Sequence, residues 1–125
     1  MLREEAESYL HKKVEDGKQI SPVLSEGIKN YLVDIDGTIC SNTDGDYENA
    51  KPFNKRIELV NKLFHEGHKI VYFTARGSTT GIDWKDFTKN QLKSWGALHH
   101  KLILSKPFAD YYIDDKSYDP FDWFN

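Results

Sequence analysis

Short apolar runs alternate with amphipathic stretches along this chain. Tyr31-Leu32-Val33 lies within a first predicted strand at about 30–35. After a loop at 40–51, Pro52 opens a predicted helix that puts Phe53, Ile57, Val60 and Phe64 on one stripe and stops at Gly67. Residues 69–73 are a second strand. The next helix, 83–95, turns Trp84, Phe87, Thr88, Leu92 and Trp95 inward and ends at Gly96. Third and fourth strands are expected at 101–104 and 111–113. Strand, helix and strand in turn predict an α/β fold around a parallel sheet, with helices on both faces. The segment 1–29 stands apart as a helical extension of the core at 30–125. Leu2, Ala6, Tyr9, Leu10 and Val14 share a helical face, Gly17 is a stop, and Ser21-Pro22 opens a second short helix ending near Gly27. A segment this short cannot bury its apolar stripe alone. It is therefore expected to pack on its own core or on a second subunit, leaving a homo-oligomer through residues 1–29 open.

Composition changes this picture little. At 125 residues the chain makes one core, and 38% hydrophobic with 14% aromatic residues argues against disorder. A net charge of −3 with no basic block weakens a nucleic-acid-binding reading without excluding it. Cys40 is the only cysteine, so no internal disulfide forms and a reducing cytoplasm is the default. The charged start, Met1-Leu2-Arg3-Glu4-Glu5, is unlike a signal peptide, and no run is long enough to span a membrane. A cytoplasmic protein with no membrane partner is the expectation.

The chemistry concentrates where the first strand ends, at Asp34-Ile35-Asp36-Gly37-Thr38. Ligands of open α/β sheets bind outside the carboxyl ends of the strands. Residues i and i+2 leave a strand on one face, so Asp34 and Asp36 emerge together. Two close carboxylates are costly unless a cation joins them or one takes a proton. Gly37 permits a sharp turn in which amides approach an anion, and Thr38 adds a hydroxyl. Carboxylates, turn and donors together point to Mg²⁺ with a phosphate, and to a nucleophilic carboxylate.

At these residues the chain resembles the haloacid dehalogenase (HAD) superfamily of aspartate-nucleophile phosphatases. Asp34-Ile35-Asp36-Gly37-Thr38 is similar to its first motif, and Val71-Tyr72-Phe73-Thr74-Ala75-Arg76-Gly77 to its second. Lys106 resembles the third-motif lysine, and Tyr112-Ile113-Asp114-Asp115 the terminal acidic motif. The resemblance covers residues 30–119 and implies a Rossmann-like HAD core. With 35 residues between Thr38 and Thr74, and 31 between Thr74 and Lys106, no room remains for a cap domain.

The residue roles follow from chemistry and resemblance together. Asp34 is the candidate nucleophile, and Asp36 the acid that protonates the leaving oxygen and then activates water. Gly37, Thr38, Thr74 and Ala75 are candidate phosphate-binding positions. Arg76 is a candidate clamp on a second anionic group of the substrate. Lys106 is expected to neutralise the nucleophile and transition state, with Lys101 and Lys116 as competitors for that role. The resemblance implies that Asp34, Asp36 through its backbone carbonyl, Asp114 and Asp115 hold Mg²⁺, the last pair carried beside Asp34 by strand four. It also implies a small phosphorylated substrate, a sugar phosphate first, with a nucleotide or nucleic-acid phosphate as the alternative. A non-catalytic phospho-acceptor is disfavoured, because receiver domains place their acidic pair first and this chain places it last. His99-His100 reads as a strand entry, Trp84 and Trp95 as core, and the tail 118–124 as a packed aromatic terminus. The loop Ser41-Asn42-Thr43-Asp44-Gly45-Asp46-Tyr47 follows the nucleophile where the family has a mobile flap.

Overall fold

Three of the apolar runs become three parallel strands in the computed structural model, which describes residues 27–125. Strand β1 (Asn30–Asp34) pairs with β2 (Lys69–Phe73), and β2 pairs with β3 (Lys101–Ile103). The order in the sheet is β1-β2-β3, with β2 central. Asp34 is opposite Phe73 and Phe73 opposite Ile103, so the three carboxyl ends share one edge. Helix α1 (Asn54–His65) connects β1 to β2, α2 (Lys85–Ser94) connects β2 to β3, and a short α3 (Pro120–Phe124) ends the chain. The readings made for residues 1–26 lie outside the described residues.

Both connecting helices start later than the apolar stripes predict. Pro52 is held by an antiparallel bridge to Cys40, and the Phe53 amide donates to Ile39 O at 2.8 Å. That backbone ties the loop down, so α1 starts at Asn54. In α2, Asp83 stays outside and its carboxylate accepts the Lys85 amide at 3.0 Å, satisfying a donor that the first turn leaves open.

The sheet faces differ from expectation. Ile57 and Val60 of α1 and Leu92 of α2 share one core with Val33, Ile70 and Tyr72. Both connecting helices therefore lie on the same face. Right-handed crossovers dictate this when successive strands are added in one direction. On the other face, Val71 and Ile103 form a small cluster with Leu32 and Phe73, and no described helix joins it.

The fourth strand does not form. Residues 111–113 carry no strand pairing, and Tyr111 and Ile113 are almost fully exposed. Local turn bonds occupy the region instead. The Asp114 carboxylate accepts the Lys116 amide at 2.9 Å, and the Asp114 carbonyl accepts the Ser117 amide at 3.3 Å. Three apolar residues offer little edge pairing to set against that turn. Among the described residues β1 is thus an edge strand, and Asp114 and Asp115 belong to an exposed turn.

The bland readings of the aromatic and histidine residues fit their surroundings. His100 Nδ1 accepts the Ile70 amide at 3.1 Å, and the His100 amide donates to Ile70 O at 2.9 Å, which closes the entry to β3. Trp95 packs against the core, whereas Trp84 is half-buried edge-on to Tyr47 and Phe87. Trp123 meets Tyr31 edge-on, and the Phe124 ring lies 5.0 Å from the Arg56 guanidinium. Phe121 and Tyr118 remain exposed, so only the end of the tail packs.

One core residue is poorly satisfied. Tyr72 is fully buried on β2, its hydroxyl finds no hydrogen-bond partner among the described residues, and burial pushes its phenol well up from the ordinary value. An unpartnered buried hydroxyl costs about 1–3 kcal/mol. Tyr72→Phe keeps the ring and removes the orphan. It should raise unfolding stability by about 1 kcal/mol, read as a higher denaturant midpoint at unchanged slope.

Candidate active site

The strand tips gather two carboxylates and two cations. Asp34 ends β1, and the chain then folds back in a tight turn. The Thr38 and Ile39 amides both donate to Ile35 O at 3.0 Å, and the Gly37 amide donates to Cys40 O at 2.9 Å. Gly37 adopts φ 82°, a left-handed conformation that side-chain-bearing residues seldom tolerate. Ile35 and Ile39 anchor this turn in the core with no exposed surface. Apolar residues thus fix the loop while Asp34 and Asp36 keep part of their surface at the tip.

Asp34 is held from two sides. Thr38 Oγ1 donates to its Oδ2 at 3.1 Å, and Lys106 Nζ lies 3.0 Å from its Oδ1. Lys106 reaches Asp34 from beyond β3, its side chain 11% exposed and its ammonium over the rings of Phe73 and Tyr112 at 4.5 and 4.2 Å. Of the three candidate lysines it is Lys106 that pairs with Asp34. Burial pushes the Asp34 carboxyl above its ordinary 3.8, and Lys106 opposes that shift without cancelling it. The Tyr112 phenol is also raised, first by burial and then by the Asp34 charge.

Asp36 has a different partner. Arg76 grips it in a fork, Nε to Oδ2 and Nη2 to Oδ1, both at 2.9 Å. The Arg76 side chain has no exposed surface. Its Nη1 donates to Gln91 Oε1 at 2.7 Å and to Thr88 Oγ1 at 3.2 Å, both on α2. The Tyr47 ring covers the guanidinium at 4.4 Å. This corrects the reading of Arg76 as a clamp on substrate: burial and internal partners turn it toward Asp36. Nothing in the local sequence announces it, because Thr88 and Gln91 look like ordinary members of a helix face.

The candidate phosphate-binding residues also make hydrogen bonds within the protein. The amides of Gly37 and Thr38 close the turn. Thr74 is 1% exposed; its amide donates to Ile103 O at 2.9 Å, and its hydroxyl oxygen accepts the Arg76 amide at 3.1 Å. The Ala75 carbonyl accepts the Ser78 amide at 2.9 Å. Gly77 has to be glycine on two counts: φ is 82°, and a Cβ there would meet Ile82 O at 2.1 Å.

Further residues escaped the sequence reading. Arg56 Nη1 donates to the Thr38 carbonyl at 3.0 Å, bracing the turn from α1. Cys40 is buried, its Sγ 3.6 Å from Asp36 Oδ1, and burial aided by the Asp36 charge pushes its thiol to about 12. Asp34 and Asp36 are hard oxygen donors of the kind Mg²⁺ takes. Among the described residues, however, no three His, Cys, Asp or Glu side chains converge as a metal-holding group.

Comparison with known proteins gives the fold and no activity. No protein-family model matches the chain, and no curated protein matches it. The crystal structure of a structural-genomics target from Vibrio cholerae is similar, with a TM-score of 0.69 and 25% identity over 78% of this chain and 88% of that one. The chain is a small α/β protein whose described residues form a three-stranded parallel sheet. No helix among the described residues is long and apolar enough to cross a membrane.

The raised Asp34 carboxyl has a consequence for stability. Below pH 3.8 the group is protonated whether the chain is folded or not, and its burial is free of charge cost. That stability is lost as pH rises through the higher folded value, because the folded state then buries a charge. Asp34→Asn should therefore melt at a higher temperature than the parent at pH 7 in metal-free buffer. The difference should shrink to nothing as pH falls below 3.8, which a series of thermal melts would measure.

Proposed function

We propose that this protein is a HAD-type phosphomonoesterase acting through an aspartyl-phosphate on a small phosphorylated metabolite. The observation that carries the reading is the Lys106–Asp34 pair, 3.0 Å apart across 72 residues of sequence. It joins the first-motif carboxylate to the third-motif lysine at one strand edge. A sugar phosphate is the favoured substrate, by resemblance to small capless members of that family.

In the first half-reaction an Asp34 carboxylate oxygen attacks phosphorus, and the bond from phosphorus to the leaving oxygen breaks. Asp36 gives that oxygen a proton. In the second half, water attacks phosphorus, Asp36 takes the water's proton, and the Asp34–phosphorus bond breaks. Lys106 offsets charge on Asp34 and on the phosphoryl oxygens as they crowd together. Thr38 orients Asp34 by donating to Oδ2. Mg²⁺ belongs to the proposal as a cofactor: Asp114 and Asp115 would have to join Asp34 and Asp36 to hold it, and it would supply further neutralisation of the phosphoryl group.

Phosphate release from a panel of phosphorylated sugars, nucleotides and oligonucleotides tests the reading. Sugar phosphates should be turned over best, Asp34→Asn should be inactive, and EDTA should abolish turnover until Mg²⁺ is restored. Lys106→Ala should lower kcat by about 10²-fold or more with a smaller change in KM, because its charge counts most in the transition state. Undiminished release by Asp34→Asn in excess EDTA would remove the reading altogether. A clear preference for oligonucleotides would move the substrate class to nucleic-acid phosphates.

A further inference from the structure

We propose that Arg76 is a positioning residue for Asp36, and that Gln91 and Tyr47 tie that positioning to the loop following the nucleophile; this rests on the phosphatase reading above. A strand-tip aspartate has two side-chain torsions and, once the strand has ended, little packing to fix them. Acid–base transfer depends on holding the transferring oxygen within hydrogen-bond reach of its partner. The Arg76 fork removes that freedom, because two parallel N–H bonds fix both the plane and the edge of the carboxylate. Oδ1 takes Arg76 Nη2 and also has Cys40 Sγ nearby, whereas Oδ2 among the described residues takes Arg76 Nε alone. Oδ2 therefore keeps a free lone-pair position, which can carry the proton given to the leaving oxygen and later accept one from water.

The fork is itself located by helix α2 and by the loop. Nη1 is fixed by Gln91 Oε1 and Thr88 Oγ1. Gln91 Nε2 in turn donates to the Tyr47 carbonyl at 2.7 Å, while the Tyr47 ring covers the guanidinium. One glutamine amide thus holds the arginine with its oxygen and the loop with its nitrogen. A role in substrate binding does not fit a guanidinium with no exposed surface. A purely structural role does not fit one whose two-bonded partner is the acid–base group.

The leaving group separates these roles. An alkyl phosphate needs a proton on its departing oxygen, whereas 2,4-dinitrophenolate leaves without one. Gln91→Met removes both bonds at nearly constant volume on a half-buried helix position. It should lower kcat on a hexose phosphate about tenfold, a fraction of what acid–base help contributes, with KM little changed. The first-turnover burst of 2,4-dinitrophenolate should keep its rate. Arg76→Lys should show the same pattern more strongly, about 10²-fold on the hexose phosphate. Adding Gln91→Met to Asp36→Asn should cost nothing further, since a residue acting through Asp36 has nothing left to position. Should Arg76→Lys fail to fold by near-UV circular dichroism, the Gln91→Met and Asp36→Asn cycle still decides. Equal slowing of the burst and of hexose phosphate turnover, a raised KM alone, or an additive loss in the Asp36→Asn background would overturn the positioning role. Those results leave the phosphatase reading intact. A dinitrophenolate burst that survives Asp34→Asn, or no phosphate release by the parent protein, removes both.

Discussion

Two carboxylates two residues apart at a partly buried strand tip set the terms for the rest of this structure. Held close and half-desolvated, Asp34 and Asp36 repel each other, and burial first, with the Asp36 charge adding to it, drives the Asp34 carboxyl upward. The fold answers with one cation apiece, each brought from far along the chain. Lys106 comes from beyond β3 to Asp34, and Arg76 from beyond β2 to Asp36. Parallel strands make this possible, because every carboxyl end falls on the same edge. The right-handed crossovers that build such a sheet carry the two cations to the two acids.

The two pairs are built differently, and the difference matches the separate roles proposed for them. Lys106 is a compact ammonium on a flexible stem, resting on Phe73 and on the half-exposed ring of Tyr112. Such a charge can follow a group that gains negative charge beside it. Arg76 is a planar fork locked by α2 on one side and Tyr47 on the other. Asp34, the group proposed to change covalently, meets the compact ammonium. Asp36, the group proposed only to give and take a proton, meets the planar fork.

Much of this was legible in the sequence, and the limits have physical causes. Strand β2 falls on the predicted residues, because Ile70, Val71 and Tyr72 are buried and no competing turn intrudes. The stripes of α1 and α2 were readable through Ile57, Val60, Thr88 and Leu92, since period-3.6 burial leaves a pattern. Helix starts were not, because they depend on bonds to distant backbone such as Phe53 to Ile39. The fourth strand misled because Tyr111-Tyr112-Ile113 has strand composition, while Asp114 spends its hydrogen bonds on a turn. Arg76 misled for a related reason. An arginine next to a motif threonine looks exposed in sequence, and only the tertiary fold shows that its donors are already spent.

The internal use of Arg76, Thr74 and the Gly37 and Thr38 amides also bears on how the proposed site, with no cap domain among the described residues, would control its chemistry. A cap excludes water by covering the strand tips. Here order comes from beneath the tips, where the turn is pinned by Ile35, Ile39 and Arg56 and the proposed acid–base group, Asp36, by Arg76. The loop at 41–53 is fastened in the same way: Ser41 and Lys51 bond each other's backbone across it, and Gln91 holds Tyr47. Positional control of Asp34 and Asp36 thus reaches into the core face of α2, so a substitution on that helix can disturb the tip without touching it. The cost of this design is visible in the buried charge of Asp34, which the fold tolerates because Lys106 offsets part of it. A tip arranged this way is ordered in advance from within and open from without, which suits a reacting group that must admit a substrate and still hold its acid in register.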